Sequence, residues 1–156
     1  MPSYVRTIRD LVGARRIFVP GVRALIPNRS SEVLLQHRTD THLWGLPSGA
    51  VEPGESAIEA LKREVMEETS VTVMRVEPMG LYSGPTQKFV YPNGDKVQCF
   101  AVAFIVREWE GCPQADGTEG SDVRFFQLGQ MPQNLVQIHK ETLDDYARYK
   151  GTFLVS

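Results

Sequence analysis

Apolar and polar positions alternate along most of this chain and mark short strands, interrupted by one strongly helical stretch. Residues 4–12 carry apolar positions at helical spacing, predicting a short amphipathic helix or arm. Arg16 to Ile26 is a β-rich run broken by Pro20-Gly21, and Pro27-Asn28-Arg29-Ser30 reads as a turn. Glu32 to Arg38 is a short strand with Val33, Leu34 and Leu35 apolar, and Thr39 to Pro53 is a loop-rich connection carrying Trp44. Strand-like sequence resumes over Val71 to Ser83. Phe89-Val90-Tyr91 and Lys96 to Arg107 then flank Pro92-Asn93-Gly94-Asp95, whose Asn-Gly centre favours a hairpin because both residues tolerate positive φ. The near-continuous apolar run Val97 to Val106 predicts a central strand. A polar loop over Gly111 to Ser121 precedes a strand at about Val123 to Leu128. The last element, Ile138 to Lys150, is an amphipathic helix with Leu143, Tyr146 and Ala147 inward and Gly151 as its stop.

The helix between these strands carries the chemistry. Ser56 and Glu59 form a Ser-x-x-Glu capping box after Pro53-Gly54, so a helix begins at about Ala57 and runs to about Thr69. At about 100° per residue, Ala57, Ile58, Leu61 and Val65 share one arc suited to facing a core. Glu68 projects into that apolar arc, Glu64 sits at its border and Glu67 lies just beyond. Carboxylates at i, i+3 and i+4 repel one another, and an inward carboxylate needs a counter-charge. A hard divalent cation with oxygen ligands answers both demands, and Mg²⁺ suits it because it bridges a few carboxylates to substrate phosphates while keeping several waters.

Composition narrows the setting. The 156 residues fit one domain spanning 1–156, and 42% hydrophobic with 23% charged residues predicts a folded globular protein. A formal net charge of -2 leaves no broad basic field for duplex nucleic acid and no polybasic membrane anchor. Arg6, Arg9, Arg15, Arg16 and Arg23 make the first stretch basic, and solvated surface arginines are favoured over a phosphate-attracting patch. No apolar run approaches the roughly 20 residues of a membrane span. Met1-Pro2-Ser3-Tyr4 leads into charged sequence without a secretory signal, so a cytoplasmic protein is expected. Cys99 and Cys112 lack metal-ligand spacing and read as ordinary thiols, while His37, His42 and His139 are scattered.

Residues 49 to 71 resemble the Nudix box: Gly, five residues, Glu, seven residues, then Arg-Glu-U-x-Glu-Glu-x-Gly-U, with U apolar. Gly49, Glu55, Arg63, Glu64, Val65, Glu67, Glu68 and Val71 match, and Ser70 stands where the final glycine belongs. The flanking Leu-Trp-Gly-Leu-Pro-Ser-Gly before the box and Glu-Gly-Ser-Asp-Val-Arg-Phe-Phe after it are also similar to the family. The resemblance implies an α/β Nudix fold, an α/β/α sandwich with a mixed β-sheet, as the mixture of strands with few helices also suggests. It implies metal ligation by Glu64, Glu67 and Glu68 with the Ser48 carbonyl, Mg²⁺ as cofactor with Mn²⁺ as the alternative, and structural support from Gly49, Glu55 and Arg63. Ser48 also replaces a second glycine common before Gly49.

The implied reaction is hydrolysis of a phosphoanhydride bond in a nucleoside diphosphate derivative: a nucleoside triphosphate, a nucleotide sugar including ADP-ribose, or a dinucleoside polyphosphate. Water is the nucleophile, and its general base is either Glu64 on the helix or a loop acid, Glu119 or Asp122, with Glu119 preferred for its Gly-flanked setting. Tyr82, Phe89 and Tyr91 are candidates for stacking on a base, against the alternative of ordinary strand packing. The partner is a small nucleotide, and a homodimer is compatible with the family. The rival reading is a non-catalytic nucleotide-binding sensor domain, which has no requirement for three crowded acids.

Overall fold

The computed structural model describes residues 3–156 and contains two sheets. Nine strands alternate with three helices: α1 (Tyr4–Val12), β1 (Ile17–Leu25), β2 (Val33–Arg38), β3 (Trp44–Gly45), β4 (Ser48–Ala50), α2 (Ala57–Thr69), β5 (Thr72–Tyr82), β6 (Lys88–Val90), β7 (Lys96–Glu110), β8 (Gly120–Phe126), α3 (Lys140–Arg148) and β9 (Leu154–Val155). The larger, mixed sheet runs β4-β1-β7-β5-β9 with β6 also on β7, and the smaller antiparallel one runs β3-β2-β8. The long apolar run is central as expected, since β7 pairs with β1, β5 and β6.

Two local expectations are revised, and one strand is added. β1 continues through Pro20-Gly21, because Pro20 lies beside β7 at a point where the β4 ladder, which starts at Gly21, has ended; a proline is tolerated at such an open edge. The connection Thr39 to Pro53 contains β3 and β4. β9 returns the chain to the edge of β5, a pairing that two residues cannot announce locally.

The larger sheet is covered on both faces. On one, Val22 and Ala24 of β1 and Ile26 just after it meet Ala60, Leu61 and Val65 of α2; on the other, Met79, Tyr82 and Ile105 meet Leu143 of α3. The inward arc of α2 therefore centres on Leu61, Val65 and Glu68, with Ala60 beside them, and Ile58 is left exposed. In α3, Leu143 is buried and Tyr146 half-buried, whereas Ala147 faces out and Thr142 takes an inward place.

Two of the five early arginines are not solvated. Arg9 caps the end of α1 by donating to the Gly13 and Arg15 carbonyls (2.9 and 2.5 Å), and it ties the helix to β7 through the Lys96 carbonyl (2.7 Å). Arg23 is buried within β1. No helix among the described residues is long and apolar enough to cross a membrane.

Ser70 ends α2 in the left-handed conformation, φ 63°, with its N–H donating to the Met66 carbonyl. The exit that a glycine ordinarily makes is thus kept with a Cβ present, at a strain of ~1–2 kcal/mol. Ser70→Gly should relieve that strain against ~0.4–1 kcal/mol of added unfolded-chain entropy. A net gain of about 0.5–1 kcal/mol is expected in urea unfolding; a loss would show that the serine side chain itself holds the exit.

Candidate active site

A cleft of about 940 Å³ opens on the larger sheet, and α2 supplies its acidic wall. The capping box sets the start of that helix: Ser56 accepts from the Glu59 amide (3.1 Å) and Glu59 from the Ser56 amide (2.8 Å). The Glu52–Glu55 turn before it is closed by the Glu52 N–H donating to Glu55 Oε1 (2.9 Å). With the start fixed, the register of every later residue on the helix follows.

Arg63 is the hub of this wall. It grips Glu55 through two parallel hydrogen bonds (2.7 and 2.9 Å), donates to Glu64 Oε1 (2.8 Å) and to the Ala50 carbonyl (3.0 Å), and reaches Glu67 Oε2 at 3.5 Å. The paired bonds from Arg63 hold the Glu55 carboxyl down at about 2, with the Glu52 amide adding to the effect. Glu55 is thus a permanently charged brace between the turn and the helix.

Glu68 is only 1% exposed. The Ser48 N–H donates to its Oε1 (2.9 Å), and Arg38, itself paired with Asp40, stands 4.0 Å from Oε2. Burial pushes the Glu68 carboxyl well above its ordinary value and the Glu64 charge adds to this, against the Ser48 amide and Arg38. Burial likewise lifts Glu64 to about 6; Arg63 opposes it, while Glu67 and Glu119 push it further up. Gly49 is needed because a Cβ there would collide with the Glu64 carboxyl.

Glu119 comes to the same cleft from the loop before β8. Asp116 Oδ1 accepts the amides of Thr118, Glu119 and Gly120 (3.0, 3.1 and 2.9 Å), and the Thr39 N–H donates to the Glu119 carbonyl (2.9 Å). Its backbone is therefore pinned while its side chain stays exposed. Asp122, the other loop acid, accepts from Arg124 (2.7 Å) and does not line the cleft.

Ser48, Gly49, Arg63, Glu64, Glu67, Glu68 and Glu119 all border one space, and Glu55 braces it from behind. Phe89 and Tyr91 also line it, edge to face at 4.9 Å. Tyr82 does not: it is fully buried and donates to Asp145 (2.9 Å), so it has no face to offer a base. Sequence reasoning missed Arg38, Arg23 and His139. A charged residue inside the apolar run Val22 to Ile26 was a usable signal for Arg23; a lone histidine before α3 carried none.

Among the described residues no three His, Cys, Asp or Glu side chains are already gathered into a closed metal cage. The donors nevertheless fit a hard divalent cation. They are carboxylate oxygens on one wall, Glu68 is buried with one distant cation for compensation, and Mg²⁺ needs only one or two carboxylates beside its waters and a phosphate.

The family model described as NUDIX domain matches residues 17–146. A Bacillus subtilis (strain 168) protein named "Putative 8-oxo-dGTP diphosphatase" is 32% identical over 130 residues, covering 83% of this chain and 80% of its own. An ADP-ribose pyrophosphatase of Methanocaldococcus jannaschii is 32% identical over 147 residues, covering 92% and 82%. The fold is also that of a MutT NUDIX hydrolase from Burkholderia pseudomallei, with a TM-score of 0.70 at 23% identity over 82% of this chain and 97% of the other. With its box residues converging on one cleft and the family model spanning β1 to α3, the chain belongs to the Nudix hydrolase family.

Proposed function

We propose that this protein is a Mg²⁺-dependent pyrophosphohydrolase that cleaves a phosphoanhydride bond in a nucleoside diphosphate derivative, a nucleoside triphosphate, nucleotide sugar or dinucleoside polyphosphate. The observation that carries the reading is the buried Glu68 carboxylate, held at the cleft by the Ser48 amide, beside Glu64, which Arg63 braces. Relatives named for an 8-oxo-dGTP diphosphatase and an ADP-ribose pyrophosphatase support the reaction class and leave two substrate groups in play. Two cysteines unpaired with each other suit the cytoplasm, where such nucleotides are found.

When bound, a divalent cation supplies charge neutralisation for the diphosphate and acidifies water. Glu64, Glu67 and Glu68, with the Ser48 carbonyl, would hold it. Arg63 orients Glu64 and Glu67, and Glu55 fixes Arg63. Glu119 takes the proton of the attacking water, a role suited to an exposed side chain on a pinned backbone. Phe89 and Tyr91 give the cleft an aromatic wall for a planar group.

Phosphate or monophosphate release from a panel of nucleoside triphosphates, ADP-ribose, other nucleotide sugars and dinucleoside polyphosphates tests the reading. Turnover should require Mg²⁺ and vanish in EDTA; saturable binding with no turnover of any member would move the assignment to a sensor domain. Glu68→Gln should lower Mg²⁺-dependent turnover by about a hundredfold or more. It should not lower the melting temperature in EDTA, because it removes a buried charge. Glu119→Gln should reduce kcat by ~10²–10⁴ with KM little changed; a loss below about tenfold would return the base to Glu64.

The raised Glu64 sets a pH dependence. Its folded value of about 6 exceeds the ordinary 4.5, so the folded protein holds the proton more tightly than the unfolded chain. Stability of the metal-free protein should therefore fall as pH rises from about 4.5 to 6, by about 2 kcal/mol from this group. Saturating Mg²⁺ should remove the decline. Melting curves across this range, with Mg²⁺ and with EDTA, read the difference, and parallel curves would show that the cation does not engage Glu64.

A further inference from the structure

The cleft also has a floor, formed by the larger sheet beside the acidic wall. Val19, Gly21 and Arg23 of β1 and Cys99 and Ala101 of β7 line it, with Gly21 in register with Ala101 and Val19 with Cys99. This floor is apolar apart from two side chains, Arg23 and His139.

Arg23 is 2% exposed, yet no carboxylate pairs with it among the described residues. Its contacts are neutral: the Ile138 carbonyl (3.1 Å), Thr142 Oγ1 (2.9 Å), Gln87 Oε1 (2.5 Å), the Cys99 thiol and the Tyr82 ring, 5.6 Å from the guanidinium carbon. The three oxygen acceptors take three of the five N–H donors of a guanidinium, and the thiol meets a fourth as a weak acceptor. Buried charges are ordinarily paired, so a cation left among neutral groups at a cleft is short of an acceptor.

His139 is the neighbouring donor. The Leu46 N–H donates to its Nδ1 (3.0 Å), which places the ring proton on Nε2. β3 comes this close because residue 45 is glycine; a Cβ there would stand 2.9 Å from Nδ1. Burial keeps the imidazole neutral, its pKa well below the ordinary value, and Arg23 and Arg38 act in the same direction. Its Nε2–H has no acceptor among the described residues. Both side chains line the cleft, within reach of a ligand.

We propose that Arg23 and His139 form a donor-only floor that selects nucleobases presenting a carbonyl oxygen, such as hypoxanthine or guanine, over adenine, whose amino group presents hydrogens at the same place. This rests on reading the cleft as a nucleotide site. In that reading the acids of α2 receive the diphosphate through the cation, which leaves the strand floor to the base. An amino group there sets donor against donor and leaves a buried cation unanswered, the kind of mismatch by which a polar pocket discriminates strongly. Arg23 and His139 are specificity residues in this scheme, with no part in bond cleavage.

Titration calorimetry with the wild-type protein, Mg²⁺ and the 5′-monophosphates of inosine, purine riboside and adenosine tests this. These differ at purine position 6 as oxygen, hydrogen and amino group. They contain no phosphoanhydride, so binding is read independently of turnover. The inosine compound should bind at least about tenfold more tightly than either of the others, and Arg23→Gln should compress that ratio below about threefold. Equal binding of the three, tighter binding of the adenosine compound, no saturable binding of any, or an unchanged ratio in Arg23→Gln would overturn the assignment. Should Arg23→Gln fail to fold, the wild-type series decides alone. A held ratio in a protein that hydrolyses nothing would support the floor while removing the hydrolase reading.

Discussion

Arg63 reaches three carboxylates and a carbonyl from one turn of α2, and each contact fixes a different part of the cleft. The two bonds to Glu55 lock the turn before the helix to the helix itself. The bond to Ala50 draws β4 against α2, which brings Gly49 under Glu64 and Ser48 to Glu68. A lysine would offer a point charge with no planar fork, and could not grip Glu55 while holding Glu64. The acidic wall is thus assembled by a cation that satisfies only part of it. Arg63 spends itself mainly on Glu55, leaving Glu67 more weakly held and Glu68 untouched.

That partial satisfaction explains the electrostatics. A wall fully neutralised by arginines would have no affinity left for a divalent ion, and one with none would repel itself apart. Glu68 is placed at the extreme, buried in the apolar arc of α2 with a backbone amide and a distant, already paired Arg38. Its pKa is high because the metal-free protein cannot support the charge well. The same deficit is what a bound cation would relieve, so instability and proposed affinity have one cause.

How much of this was legible depends on the range over which each feature is determined. The α2 boundaries were readable because the Ser56–Glu59 box and the acid spacing are local, and the convergence of box residues follows once the helix is capped. Ile58 was misassigned because Ala57 to Val65 alone leaves the arc's centre open, and only the sheet beneath decides that Ala60 and Glu68 face it. Ala147 failed similarly on α3. The β3-β2-β8 sheet and the β9 edge rest on pairings between distant short segments, which periodicity does not encode. Glu119 was preferred for its glycine neighbours, but the feature that pins it is the Asp116 side chain three residues earlier, together with Thr39.

Two adjoining surfaces of the cleft carry opposite character: the α2 wall is acidic, and the floor along β1 carries a cation. Acids gather where β4 meets α2; an uncompensated guanidinium and a neutral imidazole donor lie along β1 and before α3. Arg23 is in register with Ser48 across β1 and β4, so the strand pair that delivers the Ser48 amide to Glu68 also plants the cation beneath the floor. A nucleotide is polar in the matching sense, with phosphates at one end and base acceptors at the other. A reversed nucleotide would pair a phosphate with the Arg23 guanidinium, so orientation does not follow from the floor alone; the cation that the α2 acids would hold has to outcompete it for the diphosphate.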